Sequence, residues 1–174
     1  KANPRIAVVV GNVNSDAAYQ AIVARSPRYD VFIDDGSHTS RDIVMTFCSY
    51  FRHVSPGGIY AIEDLHCSYM AGWGGGVDRP DTSMAFLKRL ADWVNLRWWK
   101  AEREPSSLLD PFFPPAPRPD TAPFRDIRSV TFLDSMCLVE KRADGEAPGI
   151  GERVIVGREA TVSTEPLGVR NLRR

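Results

Sequence analysis

Short apolar runs alternate with amphipathic stretches along the first 140 residues, and the spacing of the apolar positions switches between strand and helix periods. Residues 5–11 (RIAVVVG) form a β-branched run closed by glycine, the profile of a strand buried on both faces. Ser15 or Asp16 is placed to cap a helix over residues 17–25, with Ala18, Ile22 and Val23 on one side. Residues 31–33 read as a second strand. Thr39 or Ser40 then caps a helix in which Ile43, Val44, Phe47, Tyr50 and Phe51 recur at helical spacing, and Ser55-Pro56-Gly57-Gly58 is the expected stop. Residues 58–62 (GIYAI) make a third strand ending in Glu63-Asp64. Strand, helix, strand, helix, strand predicts an α/β fold built on a parallel sheet with right-handed crossovers.

Beyond the third strand the pattern loosens. A glycine-rich loop over residues 68–83 precedes a long helix over 83–99, whose stripe is Phe86, Leu87, Leu90, Trp93, Val94 and Trp98. Six of the 13 prolines fall in residues 108–124, too dense for a helix or central strand, so an extended flap or linker is expected. Residues 127–133 and 136–141 flank Asp134-Ser135 as a closing antiparallel hairpin. The expected organisation is a domain over residues 1–142, with the flap at 108–124, and an extension over 143–174 that carries one apolar run at 154–156.

Composition narrows the function classes. With 22 basic and 22 acidic residues, the chain has no basic footprint for nucleic acid or an anionic membrane surface. No apolar run approaches the ~20 residues a membrane helix needs. Cys48, Cys67 and Cys137 are odd in number and widely spaced, as expected of reduced thiols in a cytoplasmic protein.

The candidate chemistry lies at the strand ends. Asp35 in VFIDDGSHTS and Glu63 in GIYAIEDLHCSY are 28 residues apart, one strand–helix–strand unit. If the two strands are neighbours, their ends lie about 5 Å apart, at the rim where open α/β sheets bind ligands. Asp35, Glu63 and Asp64 then converge, with His38 one turn beyond. Carboxylates that close repel unless a cation joins them, and hard oxygen donors suit Mg²⁺. A histidine beside such an ion is placed to take a proton from a hydroxyl. The alternative is a solvated acidic loop, and spacing alone does not choose between them.

The combination of Asp34-Asp35-Gly36-Ser37-His38 with Glu63-Asp64-Leu65-His66 resembles the metal-dependent sugar O-methyltransferases of the macrocin and mycinamicin type, within the class I S-adenosylmethionine-dependent methyltransferases. A mycobacterial group acting on methylmannose saccharides shares the pattern. The resemblance runs from about residue 5 to 142. It implies a Rossmann-like, mostly parallel doubly wound sheet, with S-adenosylmethionine and Mg²⁺ as cofactors and a sugar hydroxyl of a glycoside or oligosaccharide as acceptor. It makes Asp35, Glu63 and Asp64 the metal ligands and His38 the general base. It puts Asp34 near the donor's methionine end, Asn12 and Val13 beside the adenine, and His66 and Tyr69 near the sugar. A homo-oligomer is expected.

One departure carries its own expectation. The family's glycine-rich loop after the first strand, and the acidic residue after the second, have no counterpart, as if the chain began at the third strand. Residues 1–174 alone are therefore expected to bind S-adenosylmethionine negligibly and to be inactive. Two rival readings remain: another Mg²⁺-dependent enzyme of the same fold, or a non-catalytic dimerisation or regulatory fragment using the tryptophan-bearing helix and the proline flap.

Overall fold

The computed structural model describes residues 3–99, 104–113 and 118–147. Two compact units divide the chain, Lys1–Asp144 and Gly145–Arg174. The run at 154–156 and most of the predicted extension lie outside the described residues.

Among the described residues, the first unit carries three α-helices, α1 (Asp16–Val23), α2 (Ser40–Tyr50) and α3 (Ser83–Val94), and four strands, β1 (Tyr29–Asp34), β2 (Val54–Ile62), β3 (Ile127–Leu133) and β4 (Met136–Lys141). The strand order is β1-β2-β4-β3. β1 and β2 are parallel, as the α2 crossover requires, with Asp34 opposite Ile62. β4 joins β2 antiparallel and pairs with β3 through the predicted hairpin, so the sheet is mixed.

α2 is the element that positions the site. Thr39 is its N-cap: its hydroxyl accepts from the Asp42 backbone N–H, while Ser37 Oγ donates to Asp42 Oδ2 at 2.5 Å. These bonds fix the three residues that bracket His38. Along the helix, Ile43, Val44, Phe47 and Tyr50 are buried on the core side. Phe47 stacks on Phe51 with centroids 5.0 Å apart and meets Tyr60, Phe86 and Phe124 edge-on or tilted. Each fully buried ring of this kind contributes roughly 1.5–3 kcal/mol, so α2 is anchored far more firmly than its capping alone would hold it. Tyr50 Oη donates to the Val13 carbonyl at 2.9 Å, tying α2 to the turn before α1.

Three expectations are corrected. Residues 5–11 form no strand; Ile6, Val8 and Val10 are 66%, 76% and 94% exposed. A strand exists only through a ladder partner, and none lies beside this run among the described residues. α2 ends at Tyr50 rather than at Ser55, and a 3₁₀ turn (Phe51–His53) leads into β2. β2 itself runs through Ser55-Pro56-Gly57-Gly58. Gly58 is required there because a Cβ would sit 2.6 Å from the Asp30 carbonyl oxygen, where the β1–β2 register shifts. α3 stops at Val94, followed by a 3₁₀ turn at Leu96–Trp98, with Trp93 buried and Trp98 exposed. In its described part, the proline-rich segment packs on the core. Its Phe124 is buried against Phe47, Phe51, Phe86 and Trp93, and Leu108 and Leu109 join the same core.

Among the described residues, nothing covers one face of β1. Phe32 packs on Tyr60 at 4.7 Å and Asp34 is buried, whereas Val31 and Ile33, on the other face, are more than half exposed. No helix among the described residues is long and apolar enough to cross a membrane. Cys48, Cys67 and Cys137 are free and buried.

Candidate functional site

The parallel register brings the C-terminal ends of β1 and β2 side by side, and the Glu63 N–H donates to the Asp34 carbonyl at 3.0 Å. Three side chains meet at this rim. Metal-ligating atoms of Asp35, His38 and Asp64 lie within 4.8 Å of one another. His38 Nε2 is 3.6 Å from Asp64 Oδ2 and 3.9 Å from Asp35 Oδ1. The imidazole is four-fifths buried while both carboxylates stay open to solvent. Glu63 is half-buried beside Asp64 but is not one of the group. Successive residues at a strand end point to opposite sides, so adjacent Glu63 and Asp64 do not reach the same point by default.

Backbone conformation matters here. Four non-glycine residues among those described have left-handed φ, and three of them, His38 (φ 56°), Asp64 (φ 52°) and Ser135 (φ 59°), border this rim. Such a conformation costs roughly 1–2 kcal/mol for an L-residue, and strained backbone of this kind clusters at functional sites. In return it turns Asp64 toward His38. The β3–β4 turn buttresses the arrangement: the Ser135 carbonyl accepts from the Leu65 N–H at 2.9 Å, and Ser135 Oγ is 2.7 Å from His66 Nδ1. His66 Nδ1 is also 3.9 Å from Asp64 Oδ1.

Asp34 has a different environment. Burial pushes its carboxyl up to about 6, against the opposing hydrogen bonds from Tyr60 and from the Gly36 backbone. Tyr60 Oη donates to Asp34 Oδ2 at 3.3 Å, and burial raises that phenol's pKa as well. Asn12, Val13 and Asp34, the three residues assigned to the cofactor, line one small cavity together with Asn14, Gly36, Ser37 and Thr46. Its volume is about 40 Å³, room for roughly one or two waters and not for a nucleoside. Asn12 caps the turn before α1, its Oδ1 accepting from the Asn14 N–H at 2.9 Å.

The donor set fits a hard divalent cation. Two carboxylates within 4.8 Å repel by roughly 1 kcal/mol even in water, and a cation between them reverses the sign. An imidazole at the same point offers either a further ligand or a proton acceptor.

Of the predicted residues, the structure brings together Asp35, His38 and Asp64, with His66 beside them. Tyr69 is half-exposed on the following loop. Three contributors were not foreseen. The sequence places Ser135 only in a turn, and nothing local says that the turn reaches His66. It places Tyr60 only in a strand, and the bond to Asp34 depends on β1–β2 pairing. Trp73, whose ring lies 6.0 Å from that of His38, was hidden in the glycine-rich loop.

No protein-family model matches the chain. It is 33% identical over 159 residues to 8-demethyl-8-alpha-L-rhamnosyl tetracenomycin-C 2'-O-methyltransferase of Streptomyces olivaceus, a match that covers 91% of this chain and 38% of that protein. It is 42% identical over 91 residues to demethylmacrocin O-methyltransferase of Streptomyces fradiae, covering 51% of this chain and 23% of that one. Among solved structures, the MycE methyltransferase of the mycinamycin biosynthetic pathway, in complex with Mg, SAH and mycinamycin VI, superposes with a TM-score of 0.68 at 27% identity, over 95% of this chain and 38% of that chain. The chain thus spans less than two fifths of the length of the relatives it matches. In sequence and in architecture alike, it is a homologue of the sugar O-methyltransferases and carries the α/β fold of the class I methyltransferases.

Proposed function

We propose that the whole protein is an S-adenosylmethionine- and Mg²⁺-dependent O-methyltransferase acting on a sugar hydroxyl of a glycoside or oligosaccharide. The observation that carries this reading is the meeting of Asp35, His38 and Asp64 at the ends of two parallel strands, with two of the three in left-handed backbone. The named relatives and the MycE complex support the same chemistry.

Asp35 and Asp64 would hold the metal, with Glu63 as the third carboxylate. Bound there, Mg²⁺ lowers the pKa of a neighbouring hydroxyl, and S-adenosylmethionine supplies an electrophilic methyl group. The chain's own residues do the rest. His38 accepts the hydroxyl proton on Nε2, the atom that faces both carboxylates. The sugar oxygen so freed of its proton would take the methyl group that the bound donor supplies, and the donor would leave as S-adenosylhomocysteine with the electron pair of its carbon–sulfur bond. Asp34, Asn12 and Val13, held by their hydrogen bonds, would border the donor at one edge, since the cavity they line is by itself too small for a nucleoside. His66, braced by Ser135, and Tyr69 border the sugar side. Self-assembly and a cytoplasmic setting stay with this proposal; the three free, buried cysteines support the second.

The test is to incubate the whole protein with methyl-labelled S-adenosylmethionine, Mg²⁺ and a panel of pyranosides that includes α-L-rhamnosides. It should place label in a sugar ether, one for one with S-adenosylhomocysteine. Label that enters only nitrogen, carboxylate or no acceptor at all rejects the reading.

A further inference from the structure

Tyr69, Met70 and Trp73 are 49%, 47% and 39% exposed on the loop that leaves the acidic rim, whereas Trp93 on α3 is buried. Their mount is rigid. Backbone N–H groups of Trp73 and Gly75 both donate to the Met70 carbonyl, at 3.0 and 2.9 Å, and that of Gly76 donates to Ser68 at 2.9 Å. Gly74 takes a left-handed φ of 69°, and at Gly75 a Cβ would fall 2.4 Å from the Ser68 carbonyl oxygen. No other residue allows that approach. Ser68 is buried in turn and bonds to Ser83 at the start of α3.

This mount holds the Trp73 indole edge-on to His38, with ring centroids 6.0 Å apart. A hydroxyl that gives its proton to His38 must lie about 2.6–3.2 Å from the imidazole nitrogen. The pyranose carrying it is then next to the indole. A sugar ring has apolar C–H faces with hydroxyls at its edge, and an amphipathic aromatic matches that pattern. Small-molecule sites pair such aromatic walls with a few placed polar groups, here His38, Asp35 and Asp64. Trp73 does not line the cavity shared by Asn12, Val13 and Asp34, so it stands apart from the donor side.

We infer that Trp73 is the platform on which the acceptor's sugar ring lies, and hence a specificity-determining residue of this site. The inference rests on the function proposed above.

The test uses the whole protein and the pyranoside it methylates fastest, comparing wild type with Trp73→Ala and Trp73→Phe. Calorimetric titration of the pyranoside, with S-adenosylhomocysteine and Mg²⁺ present, gives acceptor affinity apart from turnover. Trp73→Ala should weaken acceptor binding and raise KM by about 10–100-fold, with kcat within about threefold. Trp73→Phe should recover most of the loss, and S-adenosylhomocysteine affinity should not move in either variant. The side chain is partly exposed and outside the core, so thermal melting should be unchanged. Wild-type acceptor affinity in Trp73→Ala overturns this inference and leaves the function intact. A wild-type protein that methylates no pyranoside overturns the function, and this inference with it.

Discussion

Replacing His38 with alanine should lower kcat by about 10²–10⁴-fold, the usual share of a general acid–base group, while the Mg²⁺ concentration needed for half-maximal activity stays the same. The second half of that statement separates two roles. His38 Nε2 lies 3.6 Å from Asp64 Oδ2 and 3.9 Å from Asp35 Oδ1, near enough to serve as proton acceptor or as metal ligand. A base lost leaves the metal requirement unmoved; a ligand lost raises it. Because His38 sits at φ 56°, alanine also risks a backbone shift, and His38→Asn is the control, since asparagine tolerates that region well. Equal losses in both variants assign the effect to the ring. A rise in the metal requirement would move His38 from base to ligand.

Asp64→Asn and Asp35→Asn should do the reverse. Each removes a formal charge with little change in shape, and asparagine accepts the left-handed φ of Asp64. Losing even an outer partner of a metal ligand commonly costs 10–100-fold in metal affinity. Removing a direct carboxylate ligand should therefore raise the half-maximal Mg²⁺ concentration by at least about 100-fold, and saturating Mg²⁺ should restore much of the turnover. The titration to run is initial rate against Mg²⁺ for wild type and both variants. Unshifted curves would leave the rim a solvated acidic loop. Glu63→Gln belongs in the same series, because the carboxylate of Glu63 lies outside the close group and a smaller shift is expected.

The contrast between Glu63 and His38 illustrates what sequence reading reaches. The convergence of Asp35 and Asp64 was legible because one strand–helix–strand unit separates them, and a parallel register follows from that spacing almost without choice. The helix carrying Phe47 and the hairpin around Asp134-Ser135 were legible for the same reason: each is a local pattern with a fixed period. What failed depended on partners remote in the chain. Residues 5–11 have a strand's composition but no neighbour among the described residues to pair with. Pro56, Gly57 and Gly58 look like a stop, yet they continue β2, because Gly58 lets the Asp30 carbonyl close in and the Gly57 N–H finds the Arg142 carbonyl at 3.2 Å. Phe124 sits in a segment that proline density marks as a loop, and only the three-dimensional core reveals its burial. The left-handed turns at His38 and Asp64 carry only a weak sequence signature, the modest enrichment of Asp and His in that region. Neither residue is glycine, and both conformations are imposed by what surrounds them.

The claim on which the rest depends is that methyl transfer at this rim needs a divalent cation. The measurement is label transfer from S-adenosylmethionine to a pyranoside by the whole protein, first after exhaustive chelation and then after Mg²⁺ is returned. Transfer should fall to background on chelation and recover fully with Mg²⁺. Transfer at an unchanged rate in metal-free buffer would contradict the account.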